Sequence, residues 1–389
     1  MIQVNEARSI LINNTPSSKE IKLPLLKALN HVISRDVFSP INMPPFRQSA
    51  MDGYAINIHD SLEYKIIGEV KAGDAHSIIL NSGEAIKIFT GATVPNSANA
   101  VVQIEKTTST DANLQLTELI NIGKNIRPIG EQIKEKELAL SKGTILNPAA
   151  IGFLAGLGIT EVFVYKKPKI GILVTGNELI QPGNILEYGK IFESNSIMLQ
   201  TALFNSNYKL VTNYQVNDDF LNTKEKIQQA LEENDILLIS GGISVGDYDF
   251  VKSALDELQI ETLFYKVNQK PGKPLLAGKK EDKLIFALPG NPAASLTCFY
   301  VYVLPVLQKI SNFKSAFEKL KKKNLAHDFL VNNSRGQFLK ATYLNNKVEV
   351  LSHQESSMLN TFALANCLIY LPEGNYGLKE GDKVDIYHI

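Results

Sequence analysis

The stretch KIGILVTGNE, residues 169–178, is an apolar run rich in β-branched residues that ends abruptly in a glycine and an acid. DILLISGGISVGDYDF, residues 235–250, repeats that design with a longer glycine-rich loop. Short continuous apolar runs bounded by such loops mark strands buried on both faces, as in parallel sheets covered by helices. Working outward, helical spacing over 196–204, 223–232 and 250–258 alternates with strand-like runs over 209–216, 262–267 and 284–288, and a long apolar helix is predicted from Pro292 to about Ile310. That alternation predicts a doubly wound α/β domain with a parallel sheet.

The chemistry-bearing residues fall between these elements. Thr175-Gly176-Asn177-Glu178 follows the first strand, Asp218-Asp219 the second, and the run from Ser240 through Gly241, Gly242, Ser244 and Gly246 to Asp249 the third. Lys270-Pro271-Gly272-Lys273-Pro274 follows the fourth and Pro289-Gly290-Asn291-Pro292 the next. All five are predicted at strand carboxyl ends, the edge where open parallel sheets bind ligands and where helix N-termini offer free N–H groups. Small residues that admit a close ligand, two lysines and several carboxylates suit a phosphate held together with a hard cation such as Mg²⁺. Each piece taken singly has a plain structural reading: Asp249 as a helix N-cap, Glu178 as an exposed loop acid, Gly241-Gly242 as a tight turn, the lysines as solvated side chains. Five such loops at one edge are harder to assign to chance.

The rest of the chain sets the frame. At 389 residues it exceeds the ~250 to 300 beyond which chains split into several cores. Forty Lys and Arg balance forty Asp and Glu, so there is no bulk positive field of the kind nucleic-acid binding relies on. Residues 1–12 lack a signal-peptide pattern, and the apolar stretches 301–307 and 362–371 are too short to span a bilayer, which points to the cytoplasm and to no membrane partner. Cys298 and Cys367 sit in apolar contexts as core residues, and the six histidines show no metal-ligand spacing. Helical spacing over 1–12 and 25–29, and a helix after Asn147-Pro148 that stops at Gly158, define a helical and linear N-terminal part, 1–45 with 141–168. Between them, short β-branched runs separated by Gly, Asn, Asp and Pro give a β-rich insertion, 46–140. The α/β domain covers 169–318, and 319–389 reads as a small C-terminal β-barrel, with Lys321–Lys323 taken as a solvated helix end or linker.

In that setting the sequence resembles the molybdopterin molybdenumtransferases of the bacterial MoeA type, and is similar to the E domain of gephyrin. The residues that carry the resemblance are Pro44-Pro45-Phe46 with 49–55, Phe89-Thr90-Gly91-Ala92, Thr175 to Leu179, Ser240 to Asp249, Lys270 to Pro274 and Leu288 to Pro292, spread over essentially the whole chain. The resemblance implies an Mg²⁺-dependent enzyme that loads molybdate onto adenylylated molybdopterin with release of AMP. It also implies a homodimer whose site is shared between the α/β domain of one subunit and the insertion of the other. Carried over by motif, Asp52, Glu178, Asp249, Lys270 and Lys273 are the catalytic candidates, with Glu178 and Asp249 on the metal. Thr90, Gly91, Thr175, Gly176, Asp218, Ser240, Gly241, Gly242, Ser244, Gly246, Pro289, Gly290, Asn291, Arg335 and Ser356 are the substrate-binding ones. Gln132, Asn177 and Asn99 stand where the family commonly has acids, each removing one negative charge. Two rival readings are an adenylyltransferase acting one step earlier, which needs only the α/β part, and a scaffold with a lost site.

Overall fold

The computed structural model describes residues 1–74, 78–243, 250–317 and 321–389. Strand Ile170–Thr175 is buried along its whole length and lies inside a six-stranded sheet. The order is Val211–Val216, Ile170–Thr175, Ile236–Ser240, Lys283–Leu288, Leu276–Lys280, Glu261–Tyr265. Its first four strands are parallel, and their register aligns Thr175 with Val216, and Ser240 with both Val174 and Leu288, so their carboxyl ends form one edge. The last two strands differ from a purely parallel sheet. Leu276–Lys280 runs antiparallel to both neighbours, a strand the sequence reading had merged into the loop after Lys273.

The pleat sends alternate residues to two cores. Ile170, Ile172, Val174, Ile236 and Leu238 face one, with Leu199 and Leu203 of helix Asn195–Asn205 and Phe299 and Val306 of the chain after Pro292. Leu173, Leu237 and Ile239 face the other, with Ile227 and Leu231 of helix Phe220–Glu233 and Val251 and Leu255 of helix Phe250–Glu257. Helices on both faces are what make strands of this composition stable, because neither face is left to water. Asp219 Oδ1 accepts from Asn222 N at 2.8 Å and so caps Phe220–Glu233.

The helix after Pro292 is helical throughout, α over Pro292–Cys298, π over Phe299–Val303 and α again over Leu304–Ile310. As a single 19-residue helix it is long and apolar enough to cross a bilayer, a length that counting only 301–307 understated. Its apolar surface is consumed within the protein, most of the segment being buried.

By contacts the chain divides into two compact units. The first holds residues 1–21, 30–32 and 164–389. It includes helix Val4–Asn14, whose Val4, Ala7 and Leu11 join the core around Phe264, Val267 and Leu275. It also includes a closed five-stranded barrel: Gly336–Leu344, Lys347–Val350, Lys321–Leu325, Lys383–His388 and Cys367–Leu371, the last pairing back onto the first. Lys321–Lys323 is therefore neither helix end nor linker. It pairs antiparallel with 384–386 as a barrel strand, recruited by backbone hydrogen bonds while the first two lysine side chains stay in water.

The second unit holds residues 22–29 and 33–163. Its main sheet has the order Ala100–Gln103, Gly53–Ile56, Glu84–Ile88, Glu63–Val70, Asn113–Leu116, Thr107–Ser109. Helix Pro148–Gly156 starts at Asn147, whose Oδ1 accepts from Ala150 N at 2.8 Å, and Gly158 takes a left-handed φ of 78° just beyond it. The predicted helix at 25–29 is only a 3₁₀ turn, Leu25–Lys27.

Candidate functional site

The aligned strand ends open onto a cleft of about 810 Å³ in the first unit. Fourteen residues singled out from the sequence line it: Thr175, Gly176, Glu178, Asp218, Ser240, Gly241, Gly242, Lys270, Lys273, Pro289, Gly290, Asn291, Arg335 and Ser356. Ser244, Gly246 and Asp249 lie outside the described residues.

Local hydrogen bonds hold each loop. Thr175 Oγ1 donates to Asp218 Oδ1 at 2.8 Å, Asn177 N donates to Asp218 Oδ2 at 3.3 Å, and Asp218 N donates to Asn177 Oδ1 at 3.1 Å. Asp218 thus ties the first two loops together. Asn177 serves this closure through its amide oxygen, a role an aspartate would fill equally well as acceptor. Gly241, at φ 97°, passes so close to strand Ile170–Thr175 that a Cβ there would sit 2.5 Å from the Thr175 carbonyl oxygen. At Gly242 a Cβ would lie 2.6 Å from Val251 Cγ2. The Gly-Gly pair is needed for the chain to turn at this spot.

The basic side of the cleft is built on a short strand, Gln269–Lys270, which pairs in parallel with Gly336–Gln337 at the start of the longest barrel strand. That pairing sets the Lys270 loop beside Arg335, so the cations Lys270, Lys273 and Arg335 line the same cleft as Glu178 and Asp218. Beneath the loop Gln269 is wholly buried. Its amide donates to Gly272 O at 3.1 Å and its Oε1 accepts from Tyr302 Oη, a residue of the π-helical segment. Cys298 packs there too, and burial pushes its thiol up to about 12; burial likewise raises Cys367 to about 11. Both are inert core thiols at neutral pH.

The lining residues that escaped the sequence reading include Glu193, Asn195 and Gln269. Glu193, 1% exposed, accepts from Ser196 N at 2.8 Å at the start of helix Asn195–Asn205. Ser194 and Asn195 ahead of an apolar helical run are residue types that favour a helix start, which is the signal that the sequence offered here. Asn195 Nδ2 bridges Ser240 Oγ at 2.8 Å and Gly290 O at 2.7 Å, joining two loops, and its Oδ1 is buried without a partner among the described residues.

Asp52, Thr90 and Gly91 belong to the second unit. Asp52 Oδ1 accepts from both Thr90 N at 2.6 Å and Thr90 Oγ1 at 2.7 Å, and these two bonds hold its carboxyl below the ordinary carboxylate range. Gly91 follows in the same turn with φ 84°. Among the described residues no group of three or more His, Cys, Asp or Glu is arranged to hold a metal by itself.

Comparison with known proteins accounts for nearly the full length. Residues 2–158 match the family described as MoeA N-terminal region (domain I and II), 171–309 the probable molybdopterin binding domain, and 323–389 the MoeA C-terminal region (domain IV). A molybdopterin molybdenumtransferase of Staphylococcus aureus (strain Mu50 / ATCC 700699) is 32% identical over 397 residues, spanning 99% of this chain and 95% of that protein. One from Staphylococcus epidermidis (strain ATCC 12228 / FDA PCI 1200) is 33% identical over 398 residues with the same coverage, 99% and 95%. The crystal structure of the molybdopterin biosynthesis moeA protein from Pyrococcus horikoshii OT3 superimposes with a TM-score of 0.80 at 31% identity, covering 100% of both chains.

Proposed function

The chain belongs to the MoeA family and acts in molybdenum cofactor biosynthesis, and on that premise we propose that it inserts molybdate into adenylylated molybdopterin with release of AMP. The observation that carries this reading is the convergence of Lys270, Lys273 and Arg335 with Glu178 and Asp218 on one glycine-lined cleft. Ammonium and guanidinium groups there take the oxyanion and phosphate oxygens, and the Gly241-Gly242 and Gly290 loops admit the phosphoanhydride close to backbone. The acceleration comes from placing fixed charge where the leaving phosphate gains it, because among the described residues no lining residue is a nucleophile activated by an adjacent base.

Mg²⁺ fits the donor set in a limited way. Glu178 presents an exposed carboxylate to the cleft, whereas both Asp218 oxygens are engaged by Thr175 and Asn177. Such a site suits an ion that takes one or two carboxylates, Glu178 with Asp249, and fills its shell with water and substrate oxygens. When bound, the ion neutralises charge on the phosphoanhydride. The dithiolene sulfurs of the substrate, and neither buried cysteine, bind molybdenum as AMP leaves.

The same reading includes a cytoplasmic homodimer with a shared site, Asp52, Thr90 and Gly91 being given to a partner's cleft. It keeps the division into a helical and linear part (1–45 with 141–168), an insertion (46–140), an α/β part (169–318) and a barrel (319–389), although Val4, Ala7 and Leu11 of helix Val4–Asn14 share the core of the α/β part. Purified protein given adenylylated molybdopterin and Mg²⁺ is expected to release AMP only when molybdate, or tungstate as its mimic, is added. ATP-dependent adenylylation of free molybdopterin without molybdate-stimulated AMP release overturns the assignment in favour of the earlier step. Neither activity would favour a scaffold.

A further inference from the structure

We propose that Lys340, a residue that does not itself line the cleft, is a positioning residue whose buried ammonium holds the 351–358 loop in the shape that presents Ser356 to substrate. Lys340 lies in the middle of barrel strand Gly336–Leu344, five residues after Arg335, and is only 4% exposed. Its three N–H donors meet three backbone carbonyls of one loop: His353 O at 2.8 Å, Met358 O at 3.0 Å and Glu355 O at 3.3 Å. The loop is wrapped around the cation as a coordination loop is wrapped around a metal ion.

The wrapping is costly unless the cation is present. His353 sits at φ 55°, a left-handed conformation that crowds the Cβ of an L-residue. Burial pushes the Lys340 pKa below its ordinary value, while the charge of Glu355 pulls it upward. Strain and desolvation at one contact are the pattern of a conformation imposed by its surroundings. A second clamp works from the same residue. Gln354 Oε1 accepts from Lys340 N at 2.8 Å, and its Nε2 donates to Lys340 O at 2.8 Å and Leu351 O at 2.7 Å.

What the loop presents is what the cleft uses. Gln354 and Ser356 line it, and Ser356 Oγ accepts from Asn291 Nδ2 at 2.9 Å, tying the loop to the start of the long helix. Without the ammonium, the three carbonyls must turn to water, and water reaches them only if the loop opens and Ser356 is displaced.

This inference rests on reading the cleft as the substrate site, and the experiment separates the two. In molybdate-dependent AMP release, KM for molybdate and for the pterin is measured with kcat in Lys340→Met, Ser356→Ala and the double variant. Whichever KM Ser356→Ala raises, Lys340→Met is expected to raise by about tenfold with kcat less affected, the loss of roughly one hydrogen bond to substrate. The double variant is expected to be no worse than the poorer single one. Lys340→Arg, which restores donors, is expected to recover part of the affinity. A wild-type KM in Lys340→Met, no effect of Ser356→Ala on either KM, or additive effects in the double variant would overturn the proposal. If the wild type itself releases no AMP with molybdate, the parent reading fails, and hydrogen exchange decides the loop alone. Faster exchange at 351–358 in Lys340→Met, with strand Cys367–Leu371 unchanged, supports the proposal, and unchanged exchange refutes it. Should Lys340→Met not fold, Gln354→Ala loosens the same loop without touching the buried charge and is expected to raise the same KM.

Discussion

Gly241→Ala tests whether the cleft depends on the chain turning where it does. The added methyl would lie 2.5 Å from the Thr175 carbonyl oxygen, and even 3.0 Å is closer than Cβ atoms are found, so the loop or the strand must move by at least about 0.5 Å. The backbone at φ 97° adds a left-handed penalty of roughly 1–2 kcal/mol. Together these predict a loss of about 2 kcal/mol or more in urea unfolding, followed by circular dichroism because the chain has no tryptophan. The shift falls on the loop that Asn195 ties to Gly290, so binding should suffer as well. A misplacement of ~1 Å at a reacting site costs on the order of a hundredfold, which sets the expected fall in kcat/KM between about tenfold and a hundredfold. Gly290→Ala is the contrast. There a Cβ meets nothing nearer than Gly241 Cα at 3.8 Å, so stability should stay within about 0.5 kcal/mol while the methyl takes space from the ligand. Calorimetric titration with adenylylated molybdopterin reads binding in both. Wild-type stability and binding in Gly241→Ala would refute the argument from close approach.

Lys167 donates to Asn207 O at 2.8 Å, and burial, helped by the nearby Lys209, lowers its pKa to about 8 from 10.5. Between those values the unfolded chain holds more protons than the folded one, so this residue makes stability rise with pH from about 8 to 10.5. Wild type should therefore gain on Lys167→Met over that window in denaturation midpoints, and parallel curves would remove the residue from the account. For the shared site, mixing the separately inactive Asp52→Ala and Glu178→Ala proteins under verified subunit exchange should restore up to about a quarter of wild-type activity, by the statistics of random pairing in a two-fold dimer. No recovery would show that each chain completes its own site.

Much of this was readable because it is local. A β-branched run followed by glycine and acid fixes a strand end whatever lies beside it, and the five loops at 175–178, 218–219, 240 onward, 270–274 and 289–292 were legible on that basis. What escaped was set from a distance. Leu276–Lys280 offers few apolar residues, and its Gly278 is a poor strand former by itself. It is a strand because Lys283–Leu288 and Glu261–Tyr265 lie on either side. Lys321–Leu325 reads as solvated charge until the barrel closes on it. Asn195 acts on Gly290, 95 residues away, and Lys340 acts through carbonyls, which no residue type announces. The candidate side chains could be named from the sequence, whereas the residues that hold their loops could not.

Helix Val4–Asn14 has a history as well as a place. Its apolar side, Val4, Ala7 and Leu11, belongs to the core that also holds Phe264, Val267 and Leu275, the helix contacts Leu304–Ile310, and Ile2 bridges to Val267. During translation, roughly 260 residues must leave the ribosome before those partners exist, a delay of more than about ten seconds at ~5–20 residues per second. Nearly all of the 22–163 unit emerges in that interval and can fold first. The α/β core must then recover an 11-residue helix that precedes it by more than 150 residues in sequence, a late, long-range closure of the kind that slows folding. Until it closes, a strip of sheet edge and core stands open, and it is there that a chaperone or a protease would find the nascent chain.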